Sequence, residues 1–133
     1  DPPEDRVYDL LQKRKNRFSA ARKWLLDDEV TSFYFVLNPE RLSILETAKA
    51  MDVLYKYEMP IGGIVVNRVL PDDADGAFLA KRREQEKQYL AEVEDRFGDL
   101  EKLYIPMQPY DIRGLDGLEV ISRAFQRHLD GRR

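Results

Sequence analysis

Three β-branched or aromatic runs of strand length, each followed by a segment of helical periodicity, predict an α/β fold with a parallel sheet. The runs are Thr31 to Leu37, Ile61 to Val66 and Leu103 to Met107. The segments between them are long enough to carry the chain back over the sheet, and parallel pairing requires such a connection. A long amphipathic helix precedes the first run, so the expectation is three βα units after an N-terminal helix.

The first helix is expected from Asp5 to about Asp27, where Val7, Leu10, Leu11, Phe18, Ala21 and Leu25 recur at helical spacing. Thr31 to Leu37 is nearly continuous in apolar character, as suits a strand covered on both faces. Asn38-Pro39-Glu40 then reads as a helix start, with Asn38 as N-cap and Pro39 in the first helical position. Leu42, Leu45, Ala48, Val53 and Leu54 are its expected inward stripe, ending toward Tyr57. Ile61 to Val66 is the second strand and Pro71 to Gly76 a turn-rich loop. A charged helix from Ala77 to Arg96 follows, with Phe78, Leu79, Tyr89, Leu90, Val93 and Phe97 on its apolar side and a solvated Lys81 to Glu84 face. Pro106 places the end of the third strand, since proline cannot donate to a ladder. Leu115 to Leu129 forms the last helix.

The 133 residues suffice for one core. Charged residues make up 35% of the chain, yet the net charge is only -3, so no overall field favours nucleic acid or an acidic membrane. The absence of cysteine excludes disulfides and thiolate metal sites within the chain. No apolar run approaches bilayer-spanning length, and a cytoplasmic protein is expected. The start at Asp1 and the short sheet predict further strands upstream, because three strands leave an edge that a companion segment should cover.

Ligands of open parallel sheets lie beyond the carboxyl ends of the strands. The loops there offer Asn38, Glu40 and Arg41, then Asn67 and Arg68, then Gln108, Tyr110, Asp111 and Arg113. Amides and carboxylates beside a proline-shaped loop suit a base or sugar hydroxyls, but the same residues equally serve as caps and loop stiffeners. No G-x-x-x-x-G-K-[ST] phosphate loop occurs, and Gly62-Gly63 lies inside a strand, so catalytic residues for phosphoryl transfer are expected to be absent from this segment. His128 stands without a second histidine or any cysteine and reads as a surface residue. In the first helix, Lys13, Arg14, Lys15, Arg17, Arg22 and Lys23 cluster near Phe18 and Trp24. The alternatives are a solvated face, a surface for an anionic or helical partner through Arg14, Arg17, Phe18 and Trp24, or a single-strand nucleic-acid surface. Overall acidity weighs against the last.

Pro39-Glu40-Arg41-Leu42-Ser43-Ile44-Leu45-Glu46-Thr47 resembles the P-E-x-L-S-x-x-E-T segment of the ArsA/GET family of ATPases, which drive arsenite pumps and target tail-anchored membrane proteins. Val65-Val66-Asn67-Arg68-Val69-Leu70 resembles the family's V-V-N-x-L/V-L strand end, and Pro106-Met107 through Asp111-Ile112-Arg113-Gly114-Leu115 its adenine loop. The resemblance implies a SIMIBI-class P-loop NTPase fold of which this chain is the C-terminal portion. Residues 1–29 would then be the closing helix of a helical subdomain and 30–133 the C-terminal half of the ATPase domain. It further implies ATP and Mg2+ in the parent protein and a homodimer. A membrane pump subunit or membrane-protein client would be the partner, and no nucleic acid is expected. Asn67, Pro106, Met107, Gln108, Pro109 and Tyr110 would contact the nucleotide, and Glu40 a ribose or the partner subunit's nucleotide. The sequence lacks the C-x-x-C zinc clasp of the eukaryotic targeting ATPases and the cysteines of arsenite sites, so no zinc is expected, and it has Asp111 where the family carries glutamate. A non-catalytic, stand-alone binding module with a partner-binding helix is the alternative.

Overall fold

The computed structural model describes residues 3–131. In order the elements are α1 (Pro3–Leu25), β1 (Phe33–Leu37), α2 (Arg41–Lys56), β2 (Ile61–Val69), α3 (Ala77–Arg96), β3 (Glu101–Pro106) and α4 (Gly114–Asp130). The sheet is all parallel, as the three predicted βα units require, and its order is β1-β2-β3.

Strand alternation sends Leu37, Ile64 and Val66 to one face, where α2 and α3 cover them with Ile44, Met51, Val93 and Phe97. Both crossovers lie on that face, the outcome when successive connections of one hand step the same way across a sheet. On the opposite face α4 packs over Val65, Leu103 and Ile105 through Ile121. That layer is narrow, so Tyr34 and Val36 of β1 remain 57% and 65% exposed.

Several boundaries and faces differ from the sequence expectation. The second helix begins at Arg41, with Glu40 in the cap position and no side-chain cap bond. Asn38 instead donates its backbone N–H to Ser43 Oγ at 3.1 Å, and Pro39 is buried before the helix. The buried stripe is Ile44, Thr47 and Met51, the face that α2 turns to the sheet, and Leu42 and Val53 are exposed. Phe78 lies outside the core. Arg83 is partly buried rather than solvated, and its guanidinium donates to the Ala74 carbonyl across the β2–α3 loop. His128 is half-buried, with Nε2 2.7 Å from Glu101 Oε1, because the end of α4 comes down on the start of β3. No helix is long and apolar enough to cross a membrane among the described residues.

The two glycines inside β2 have a packing reason. A Cβ on Gly63 would lie 2.7 Å from the Glu101 carbonyl oxygen and 3.1 Å from the Tyr34 ring, and one on Gly62 would meet Ser32 and Tyr34. The register of β1 on β2 shifts at this point, between Phe33 and Tyr34.

Candidate functional site

A second register shift builds the site. Val66 pairs with Tyr104 and Val69 with Pro106, so β2 places three residue steps against two on β3 and bulges at Asn67 and Arg68. Arg68 takes φ +61°, a left-handed conformation uncommon for a residue with a side chain and a form of local strain found at functional sites. Pairing resumes at once, with the Met107 N–H donating to the Val69 carbonyl at 2.7 Å.

The bulge turns Asn67 toward the loop after β3. Asn67, Pro106, Met107, Gln108, Pro109 and Tyr110 line one cavity of about 370 Å3 together with Ile105, Ile112 and Ile121. Its volume is in the range of small-ligand pockets, and it combines apolar walls with a few convergent amides. The loop is stiffened by Gln108, whose Nε2 donates to the Pro106 carbonyl at 2.9 Å, and by an exposed Asp111–Arg113 pair at 3.1 Å. Gln108 therefore retains its side-chain oxygen for a ligand. Gly114, at φ +64°, turns the chain from this loop into α4.

Glu40 is not in that cavity. It borders a neighbouring one of about 390 Å3 on the α2/α3 side, together with Asn38, Arg41, Arg82 and Glu86. Arg68 and Met107 line both and form the wall between them. Glu86, 8% exposed, accepts the Leu70 backbone N–H through both carboxylate oxygens at 3.2 and 3.0 Å and so ties α3 to the end of β2. Burial pushes its carboxyl pKa up, opposed by the Leu70 hydrogen bond and by the charges of Arg82 and Arg83. Nothing in the residue pattern of a charged helix marked Glu86 as buried. Its partner is a backbone group 16 residues away.

The partner-surface residues of α1 lie apart from both cavities. Asp5 to Leu25 are all exposed, Phe18 at 76% and Trp24 at 63%, so basic and apolar side chains alike are uncovered. Among the described residues no three carboxylate, histidine or cysteine side chains come together as a metal cluster.

The family of anion-transporting ATPases matches residues 1–127. The chain is similar to a putative arsenical pump-driving ATPase of Aquifex aeolicus, 33% identical over 90% of this chain and 39% of that protein. It is also similar to the Arabidopsis thaliana ATPase GET3A, 28% identical over 92% of this chain and 35% of that protein. A third relative, an ATPase ASNA1 homolog of Paramecium tetraurelia, is 29% identical over 90% of this chain and 37% of its own length. The chain thus spans somewhat over a third of the length of the curated relatives it matches. With that match over nearly the whole sequence, and the predicted parallel α/β sheet, the chain belongs to the anion-transporting ATPase (ArsA) family.

Proposed function

We propose that this chain is the base-binding side of an ATPase that couples ATP hydrolysis to anion transport or to targeting of tail-anchored membrane proteins. The observation that carries the reading is the β2 bulge, which brings Asn67 against the Pro106–Tyr110 loop around one cavity. An amide and a proline-stiffened loop beside isoleucine side chains can hold a flat heterocycle by apolar contact and fix its orientation by hydrogen bonds. ATP, when bound, supplies the phosphoanhydride. The residues here bind and orient its base, while phosphate and Mg2+ chemistry falls to residues outside this sequence. Glu40 stands at the rim of the adjoining cavity, suited to a ribose or to a nucleotide held by a second subunit. Residues 1–29 act as the closing helix of a helical subdomain and 30–133 as the C-terminal half of the ATPase domain. The parent acts as a cytoplasmic homodimer, and Arg14, Arg17, Phe18 and Trp24 face a pump subunit or a membrane-protein client.

The test uses the native polypeptide that contains this chain. Its mass should be about twice 15.6 kDa or more, and it should hydrolyse ATP. Asn67→Ala should raise KM for ATP about tenfold at nearly constant kcat, because a base contact is made equally in ground and transition states. A native mass near that of this chain, or a KM unmoved by Asn67→Ala, would sink the reading.

A further inference from the structure

The cavity beside the proposed base site has a different chemistry. Three arginines line it from three elements: Arg41 from the first turn of α2, Arg68 from the β2 bulge and Arg82 from α3. None of the three is in an ion pair among the described residues. The N-terminus of α2 also borders the cavity; Glu40 holds its cap position but makes no side-chain cap hydrogen bond, so its carboxylate does not take up the first backbone N–H groups. We propose that this 390 Å3 cavity is a binding site for a small multivalent anion of the phosphate or pyrophosphate class, distinct from the base cavity.

Two carboxylates border the site and do not cancel it. Glu86 is committed through both oxygens to the Leu70 N–H. Glu40 is exposed at the rim. A planar fork from each of three arginines matches phosphate geometry better than isolated ammonium groups would. Because Arg68 and Met107 wall both cavities, an anion that draws Arg68 to its side changes the shape of the base cavity, and the effect is reciprocal.

The test is an amide-resolved NMR titration of this chain with pyrophosphate at fixed ionic strength, with adenosine as a separate probe. Saturable shifts centred on Arg41, Leu70 and Arg82 are expected. Arg82→Gln and Arg41→Gln should each weaken pyrophosphate binding about tenfold, the loss of one charge-assisted contact, and leave the adenosine response at Asn67 unchanged. Both side chains are exposed, so neither change removes core packing. Shifts that fail to saturate or are shared with Lys13, Arg14 and Arg17 of α1 would overturn the site, as would an affinity indifferent to both substitutions. Silence toward adenosine alone would count against the base-site reading and leave the anion site standing. Pyrophosphate that still binds under saturating ADP identifies a free anion as the ligand, whereas competition identifies the phosphates of the nucleotide.

Discussion

Glu86 shows how one side chain can hold a loop at an electrostatic cost. Its carboxylate fixes the Leu70 N–H, but burial favours its protonated form, so its folded pKa stands above the 4.5 it would have in the unfolded chain. A raised folded pKa means that the native state binds the proton more tightly. The stabilisation is therefore full below 4.5 and is lost as pH rises through the folded value. Urea unfolding at a series of pH values should show this loss, and Glu86→Gln, which keeps an acceptor for Leu70 and cannot ionise, should flatten that part of the profile. An unchanged profile would mean that other groups set the slope. Gly63 poses a steric question at the same scale. Gly63→Ala should cost about 1–3 kcal/mol in the same assay, because the backbone oxygen of Glu101, 2.7 Å from the added carbon, cannot rotate away as a side chain would. Arg68, already at φ +61°, should tolerate Gly but lose about 1–2 kcal/mol on Arg68→Val, since a β-branched residue is a poor fit to that conformation.

Among the elements, α1 and α4 differ in how far the rest of the chain holds them. Every residue of α1 from Asp5 to Leu25 is exposed, so removing residues 1–20, which keeps the Trp24 carbonyl that accepts from Thr31 Oγ1 at 2.7 Å, should change the unfolding free energy of the sheet by less than about 0.5 kcal/mol, the range for surface changes. A larger loss would show that α1 packs on the sheet in solution. The periodicity of α1 was readable because helical spacing does not depend on a partner, yet amphipathic character alone could not say whether anything covers it. The three strands were readable from their β-branched and aromatic runs, and their parallel pairing follows from the helical connections between them. Strand ends were harder. Asn67 and Arg68 look like turn residues, but a bulge keeps them in β2 to Val69. The site residues Asn67 and Pro106 to Tyr110 lie together as their positions at strand ends implied, whereas Glu40 separates from them because the wall of Arg68 and Met107 exists only in the folded bulge. Glu86 and the His128–Glu101 contact were invisible for a common reason: each joins residues at least 16 positions apart, which no local pattern encodes.

At the scale of the molecule, the two faces of the sheet are finished to different degrees. The α2/α3 side holds a buried core, while on the α4 side Tyr34, Val36, Val65, Leu103, Phe125 and Leu129 surround an apolar cavity of about 420 Å3. Among the described residues β1 pairs only with β2, so its other edge carries backbone groups unpaired within them, beside this cavity. Such an edge next to apolar surface is the geometry a sheet presents where another strand and its helix are added. On the proposed reading, the longer polypeptide supplies that layer. A single substitution compared in two contexts tests it, because the value of an apolar side chain depends on what it is buried against. Val36, 65% exposed in this chain, should accept Val36→Thr here within about 0.5 kcal/mol. In the native longer polypeptide the same change should cost about 1–2 kcal/mol, from lost apolar burial and a hydroxyl left dry. Equal costs in the two contexts would mean that β1 remains a free edge in the whole protein, and the sheet would then have to be extended elsewhere.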